Sequence, residues 1–173
     1  MKPLEIRFDD VLIVSHLTGS MKNSLRYNTF WGHFLEADKI LQKYQQQCTL
    51  AVMSEGIDVY PDWVDYIRKN KDRYKIAVHA REHINFRFLY EEDGYRHLLE
   101  AKNKIEETFG PIERWYVPFG RPNFPPWGIK VCDQLGLKFH TRGGLSRHLY
   151  FHYWNSRDRD KLEKVLNKDG LIH

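Results

Sequence analysis

Two adjacent carboxylates, Asp9 and Asp10, follow directly on the run Leu4-Glu5-Ile6-Arg7-Phe8. Two histidines four residues apart, His79 and His83, follow a second apolar run, Tyr74 to Val78. Ionised acids at the edge of a core must be hydrated, paired or bound to a cation. Two imidazoles with one of the acids make a three-ligand metal set that leaves coordination positions open for water and substrate, as catalytic zinc sites do. The other acid then stands beside the ligand, where it can accept the proton of an attacking water. Each pair alone is a weak signal: paired acids are common at strand ends and helix caps, and nine histidines make a four-residue spacing easy to reach by chance. Their shared position at the ends of apolar runs joins them.

The elements that would carry these groups alternate in type. Leu4 to Phe8 alternates apolar and polar positions as a strand does, and residues 11 to 28 form an ambiguous insertion. Asn28 or Thr29 is a candidate cap for a helix from about Phe30 to Gln46, with Phe34, Ala37 and Leu41 on one face. Cys48 to Met53 reads as a buried strand, Pro61 opens a second helix, and Tyr74 to Val78 is a third strand that delivers His79. Asp93 is the expected cap of a helix through Phe109, stopped by Gly110-Pro111. Glu113 to Val117, Leu137 to His140 and His148 to Tyr153 complete about six strands, with a helix over Trp127 to Leu135 and a last one over Asp158 to Leu166.

Alternation of this kind, with short connections, predicts an α/β fold: a distorted or incomplete (β/α) barrel of about six to seven strands, or else an open doubly wound sheet. In either, ligands sit at the carboxyl ends of the strands, where Asp9-Asp10, His79, Pro118-Phe119-Gly120 and His152-Tyr153-Trp154 all fall. At 173 residues and 42% apolar content, residues 1–173 are expected to form a single catalytic domain.

Composition narrows the function further. Net charge is only +4, from 27 basic and 23 acidic residues, and no dense basic tract with interleaved stacking residues is present, so nucleic-acid binding is disfavoured. Cys48 and Cys132 lie in apolar segments and read as buried thiols rather than a disulfide framework. The charged start Met1-Lys2-Pro3-Leu4-Glu5 and the lack of a long apolar run predict a cytoplasmic chain with no membrane span. His16 and His97 read as bystanders, the latter on the polar face of its helix.

Phe8-Asp9-Asp10, His79-x-x-x-His83, Tyr116-Val117-Pro118-Phe119-Gly120 and Leu149-Tyr150-Phe151-His152, in this order, resemble the motifs of the polysaccharide deacetylases, the NodB-like carbohydrate esterases. The resemblance implies metal-dependent hydrolysis of an N- or O-acetyl group on a sugar or glycan. It implies Asp9 as general base, and Asp10, His79 and His83 as ligands of a divalent metal, zinc foremost, with nickel, cobalt or iron as alternatives. Phe119 would then lend its backbone N–H to the oxyanion, and His152 would protonate the leaving group. Three positions depart from the family pattern: Val11 replaces a glycine, Ala80 a serine or threonine, and Tyr116 the arginine that orients the base. A catalytically impaired relative that binds sugar or metal without turnover is therefore the alternative.

Trp115, Tyr116, Phe119, Phe124 and Trp127 form an aromatic cluster beside these motifs. Trp115 and Trp127 are expected in the core, whereas Tyr116 and Phe124 are candidates for sugar contact, Phe124 the better placed in its proline loop. Trp154 and Tyr153 either wall the cleft, as a substrate contact, or close the barrel.

Overall fold

The computed structural model describes residues 4–14, 25–116, 125–139, 147–151 and 156–168. In chain order these form β1 (Leu4–Val11), α1 (Leu25–Lys43), β2 (Cys48–Met53), α2 (Pro61–Lys69), β3 (Tyr74–Ala80), α3 (Glu91–Phe109), β4 (Arg114–Trp115), α4 (Gly128–Gln134), β5 (Lys138–Phe139), β6 (Arg147–Phe151) and α5 (Ser156–Lys168). All strand pairs are parallel, in the order β5-β4-β3-β2-β1-β6. Among the described residues β5 and β6 form the two edges and do not pair with each other, so the sheet is an incomplete (β/α) barrel, as the alternation predicts. No helix among the described residues is long and apolar enough to cross a membrane.

The period-2 alternation of the strands sorts their side chains into two environments. Ile6 and Phe8 of β1, Leu50 and Val52 of β2, and Val78 and Ala80 of β3 pack with Phe34, Leu41, Leu98 and Ile105 of the helices in the main core. The opposite, inner face carries Glu5, Arg7 and Asp9, then Ala51, then Ala77 and His79, with Ala51, Ala77 and Tyr116 forming a small separate cluster. The alanines leave space on that face, which polar side chains of β1 and Tyr116 occupy. Cys48 and Cys132 are buried free thiols, Cys48 pushed well above the usual range by burial and then by the nearby Asp38 carboxylate.

The expected caps of α1 and α3 are not where the helices start. Helix α1 begins at Leu25, so Asn28 and Thr29 lie inside it rather than capping it. The residues from Leu25 to Trp31 contain no glycine or proline, and unfavourable propensities of a few tenths of a kcal/mol per residue, roughly, do not stop a helix that continues into the core. Helix α3 begins at Glu91 after the extended Tyr90, and Asp93 sits in its acidic first turn, ion-paired with Arg96 at 2.7 Å. Three acids in that turn meet the positive end of the helix dipole. Its end at Gly110, with φ of 95°, is as expected.

Candidate metal centre

Strand β1 delivers its acids through an irregular end. Its register with β2 shifts between Phe8 and Val11, and Asp10 and Leu12 adopt φ of 57° and 65°, the left-handed region that non-glycine residues rarely enter. The bulge turns Asp10 away from strict alternation, so Asp9 and Asp10 are both buried yet serve different neighbours. A short 3-10 turn after β2, Ser54–Gly56, clasps this end from behind. Glu55 accepts the Val14 N–H through its carboxylate at 2.8 Å, and its own N–H donates to the Arg81 carbonyl at 2.9 Å. A Cβ on Gly56 would stand 1.9 Å from the Leu12 carbonyl oxygen, so only glycine admits this approach.

His79 is the penultimate residue of β3, and His83 follows in the loop beyond it. Their Nε2 atoms lie 3.2 and 3.3 Å from the same oxygen, Asp10 Oδ1. Among the described residues, these three are the group whose donor atoms all lie within 4.8 Å of one another. His79 Nδ1 donates to the carbonyl of Tyr116, which fixes the tautomer and leaves Nε2 as the lone-pair nitrogen facing Asp10. That buried Nε2 makes no hydrogen bond among the described residues. In the neutral imidazole a lone pair then faces a carboxylate oxygen, a repulsion that a proton or a metal ion between them relieves, and two imidazoles with one carboxylate are a donor set suited to zinc and its neighbours. The residues therefore fit a divalent metal.

Asp9 stands apart from this triangle, in the grip of Arg7. Arg7 Nη2 donates to Asp9 Oδ2 at 2.8 Å and Arg7 Nε faces Oδ1 at 2.6 Å. The Arg7 guanidinium carbon lies 4.1 Å from the centroid of the Tyr116 ring. Tyr116 is 2% exposed, its hydroxyl donating to Glu5 Oε1 at 2.5 Å. Burial, and after it the bond to Glu5, pushes the Tyr116 phenol up to about 12, so it remains a donor near neutral pH.

Of the residues singled out from sequence, Asp9, Asp10, His79, His83 and Tyr116 thus converge on the carboxyl ends of β1, β3 and β4. Phe119, Phe124, His152 and Trp154 lie outside the described residues. Chain position 152 directly follows Phe151 of β6, whose Cα partner is Phe8. Trp115 is fully buried and Trp127 packs against the core, in accord with expectation.

Two residues escaped the sequence reading. Arg7 was legible in principle, since on a strand it shares a face with Asp9 two residues on. His97 is not a bystander: it is buried on α3, and its Nε2 accepts the Arg81 N–H at 3.2 Å, within the turn between His79 and His83. Burial, then the positive charge of Arg81, holds its imidazole below the ordinary range, so it is neutral and accepts.

Comparisons with known proteins agree with this architecture. The family model described as polysaccharide deacetylase matches residues 13–139. No curated protein matches the sequence. Among solved structures, the chain is similar to a mutant CE4 family pseudoenzyme with restored enzymatic activity: 13% identity, TM-score 0.72, 98% of this chain and 64% of that one. The wild-type pseudoenzyme, from Bacillus anthracis, gives 12% identity and a TM-score of 0.70 over 98% of this chain and 62% of that one. Peptidoglycan deacetylase PdaC from Bacillus subtilis gives 16% identity and a TM-score of 0.63 over 96% of this chain and 82% of that one. The chain thus spans less than two thirds of the length of the first two, and at these identities the likeness is one of fold. With the family model covering most of the chain, this protein belongs to the polysaccharide deacetylase family.

Proposed function

We propose that this protein is a metal-dependent carbohydrate deacetylase, which hydrolyses an N- or O-acetyl group on a sugar or glycan. The observation that carries the reading is the convergence of His79 Nε2 and His83 Nε2 on Asp10 Oδ1, with the separately held carboxylate of Asp9 on the adjoining residue. Asp10, His79 and His83 would hold the divalent ion, zinc foremost, whose Lewis acidity lowers the pKa of water and polarises a carbonyl.

The chain's own groups then divide the work. Asp9 accepts the proton of the attacking water as its oxygen bonds to the acyl carbon. The main-chain N–H of Phe119 donates to the oxygen on which negative charge develops. His152 gives a proton to the amine or alcohol as the C–N or C–O bond breaks, so the products are acetate and the free sugar group. Phe124 and Trp154 offer aromatic faces to the sugar ring. Tyr116, buried against Glu5 and Arg7, serves the framework of the site rather than the sugar.

Acetate release from acetylated sugar oligomers tests the proposal. The wild type is expected to release acetate, and Asp9→Asn to release it at least about 100-fold more slowly, in line with loss of a general base. Equal release by the two removes Asp9 from the mechanism. The similarity to a pseudoenzyme supports a second reading, metal binding without turnover. A zinc-loaded wild type that releases no acetate selects that one.

A further inference from the structure

We infer that Arg7, seated on the ring of Tyr116, is the positioning residue for the Asp9 carboxylate, a role that rests on the reading of Asp9 as proton acceptor. Arg7 Nη2 donates to Asp9 Oδ2 at 2.8 Å, and Nε lies 2.6 Å from Oδ1 as a second, ionic contact, so one guanidinium holds the carboxylate by a charge-assisted hydrogen bond and a close opposite charge. The side chains of Arg7 and Asp9 are only 12% and 2% exposed, so water competes weakly for either.

The guanidinium is itself held. Its central carbon lies over the Tyr116 ring, 4.1 Å from the centroid, a cation–π contact. Tyr116 is anchored on three sides: its N–H donates to the Val78 carbonyl at 3.0 Å, its hydroxyl donates to Glu5, and its carbonyl accepts from His79 Nδ1. One residue therefore supports both halves of the centre, its ring beneath the arginine that aims Asp9 and its carbonyl behind the imidazole that faces Asp10. Tyr116 stands where an arginine opens the third motif of the family pattern. Here the positive charge comes from β1 instead, two residues before the acid it serves, with the Tyr116 ring against it.

The test uses Arg7→Lys, Arg7→Met, Tyr116→Leu and the double variant Arg7→Met/Tyr116→Leu, each checked for folding by urea denaturation and assayed for acetate release. Arg7→Met lowers kcat about 100-fold with KM within about threefold, as expected for a misdirected reacting group. Arg7→Lys, which keeps the charge but loses the planar guanidinium, falls about tenfold. Tyr116→Leu also falls about tenfold, and the double variant is no slower than Arg7→Met within about twofold, because the ring acts through the guanidinium. An unchanged kcat in Arg7→Met, or multiplicative losses in the double variant, overturns the assignment.

A second measurement is independent of turnover. In nitrogen-15 spectra of the metal-free protein, the Arg7 Nη2 amino group, which donates to Asp9 Oδ2, gives a slowly exchanging resonance that is lost in Asp9→Ala and kept in Asp38→Ala. A resonance indifferent to Asp9→Ala overturns the clamp. If the resonance depends on Asp9 while the wild type releases no acetate, the clamp stands and the deacetylase reading fails.

Discussion

Substituting alanine for Gly56 puts a methyl group 1.9 Å from the carbonyl oxygen of Leu12 and 2.7 Å from its carbonyl carbon. Real Cβ contacts essentially never fall below 3.0 Å, so the gap must open by about 1.1 Å, and the obstacle is backbone rather than a side-chain tip that could swing aside. Either response reaches the metal centre. If Leu12 retreats, it carries the strained turn that begins at Asp10, whose carbonyl accepts the Ile13 N–H. If Gly56 retreats, it carries Glu55, which ties Val14 to the Arg81 carbonyl between the two histidines. Metal–ligand distances tolerate only about 0.2 Å, so passing on even half of this displacement spoils the triangle.

We expect Gly56→Ala to lose about 2 kcal/mol of stability by overpacking, and to bind zinc about 10- to 100-fold more weakly. Urea denaturation of metal-free protein and a competitive zinc titration against a chromophoric chelator measure the two effects. Gly32→Ala is the control: Gly32 is exposed on α1 and a Cβ there meets nothing within 4 Å, so zinc affinity stays the same and stability rises by about 0.5–1 kcal/mol. A Gly56→Ala variant that binds zinc within about twofold of wild type and unfolds within about 0.5 kcal/mol of it, the scale of an ordinary surface substitution, contradicts this coupling.

Two further predictions concern stability and pH. Buried Asp38 accepts from Arg73 at 2.5 Å, Tyr66 at 2.6 Å, Tyr74 at 2.7 Å and Gln42 at 2.8 Å, far from the carboxyl ends of the strands, since Tyr74 opens β3. Asp38→Ala strands these donors and costs about 3 kcal/mol in urea denaturation, while zinc affinity stays within about twofold; a loss below about 1 kcal/mol contradicts this. His97 is held neutral in the fold, so below its ordinary value of about 6.5 the unfolded chain takes up the proton first and stability falls as pH drops. In chelator-treated protein, the urea midpoint should be flat in this contribution above about pH 6.5 and decline below it, and His97→Gln should decline less steeply. Parallel declines for the two proteins remove His97 from the account.

The positions that sequence made legible are those set by short-range pattern. Alternation along Leu4 to Phe8 gave the two faces of β1, the apolar block Cys48 to Met53 is β2 residue for residue, and the run from Tyr74 leads to His79 at the end of β3. What escaped depends on contacts between distant segments. Arg7 becomes meaningful only when β4 brings Tyr116 beneath it, 109 residues along the chain. His97 has a helical position that either solvent or a core could occupy, and only the packing of α3 on β3 turns it toward Arg81. The bulge at Asp10 has no glycine to announce it, because Asp10 and Leu12 themselves carry the positive φ.

Metal content decides whether Asp10, His79 and His83 bind an ion. After reconstitution with zinc, nickel, cobalt or iron and removal of free ion, the purified wild-type chain should retain about one equivalent, and the His79→Ala/His83→Ala variant less than about a tenth. A wild type that retains less than about a tenth of an equivalent of any of these, or a double variant that still holds a full equivalent, contradicts the assignment of Asp10, His79 and His83 as the metal centre.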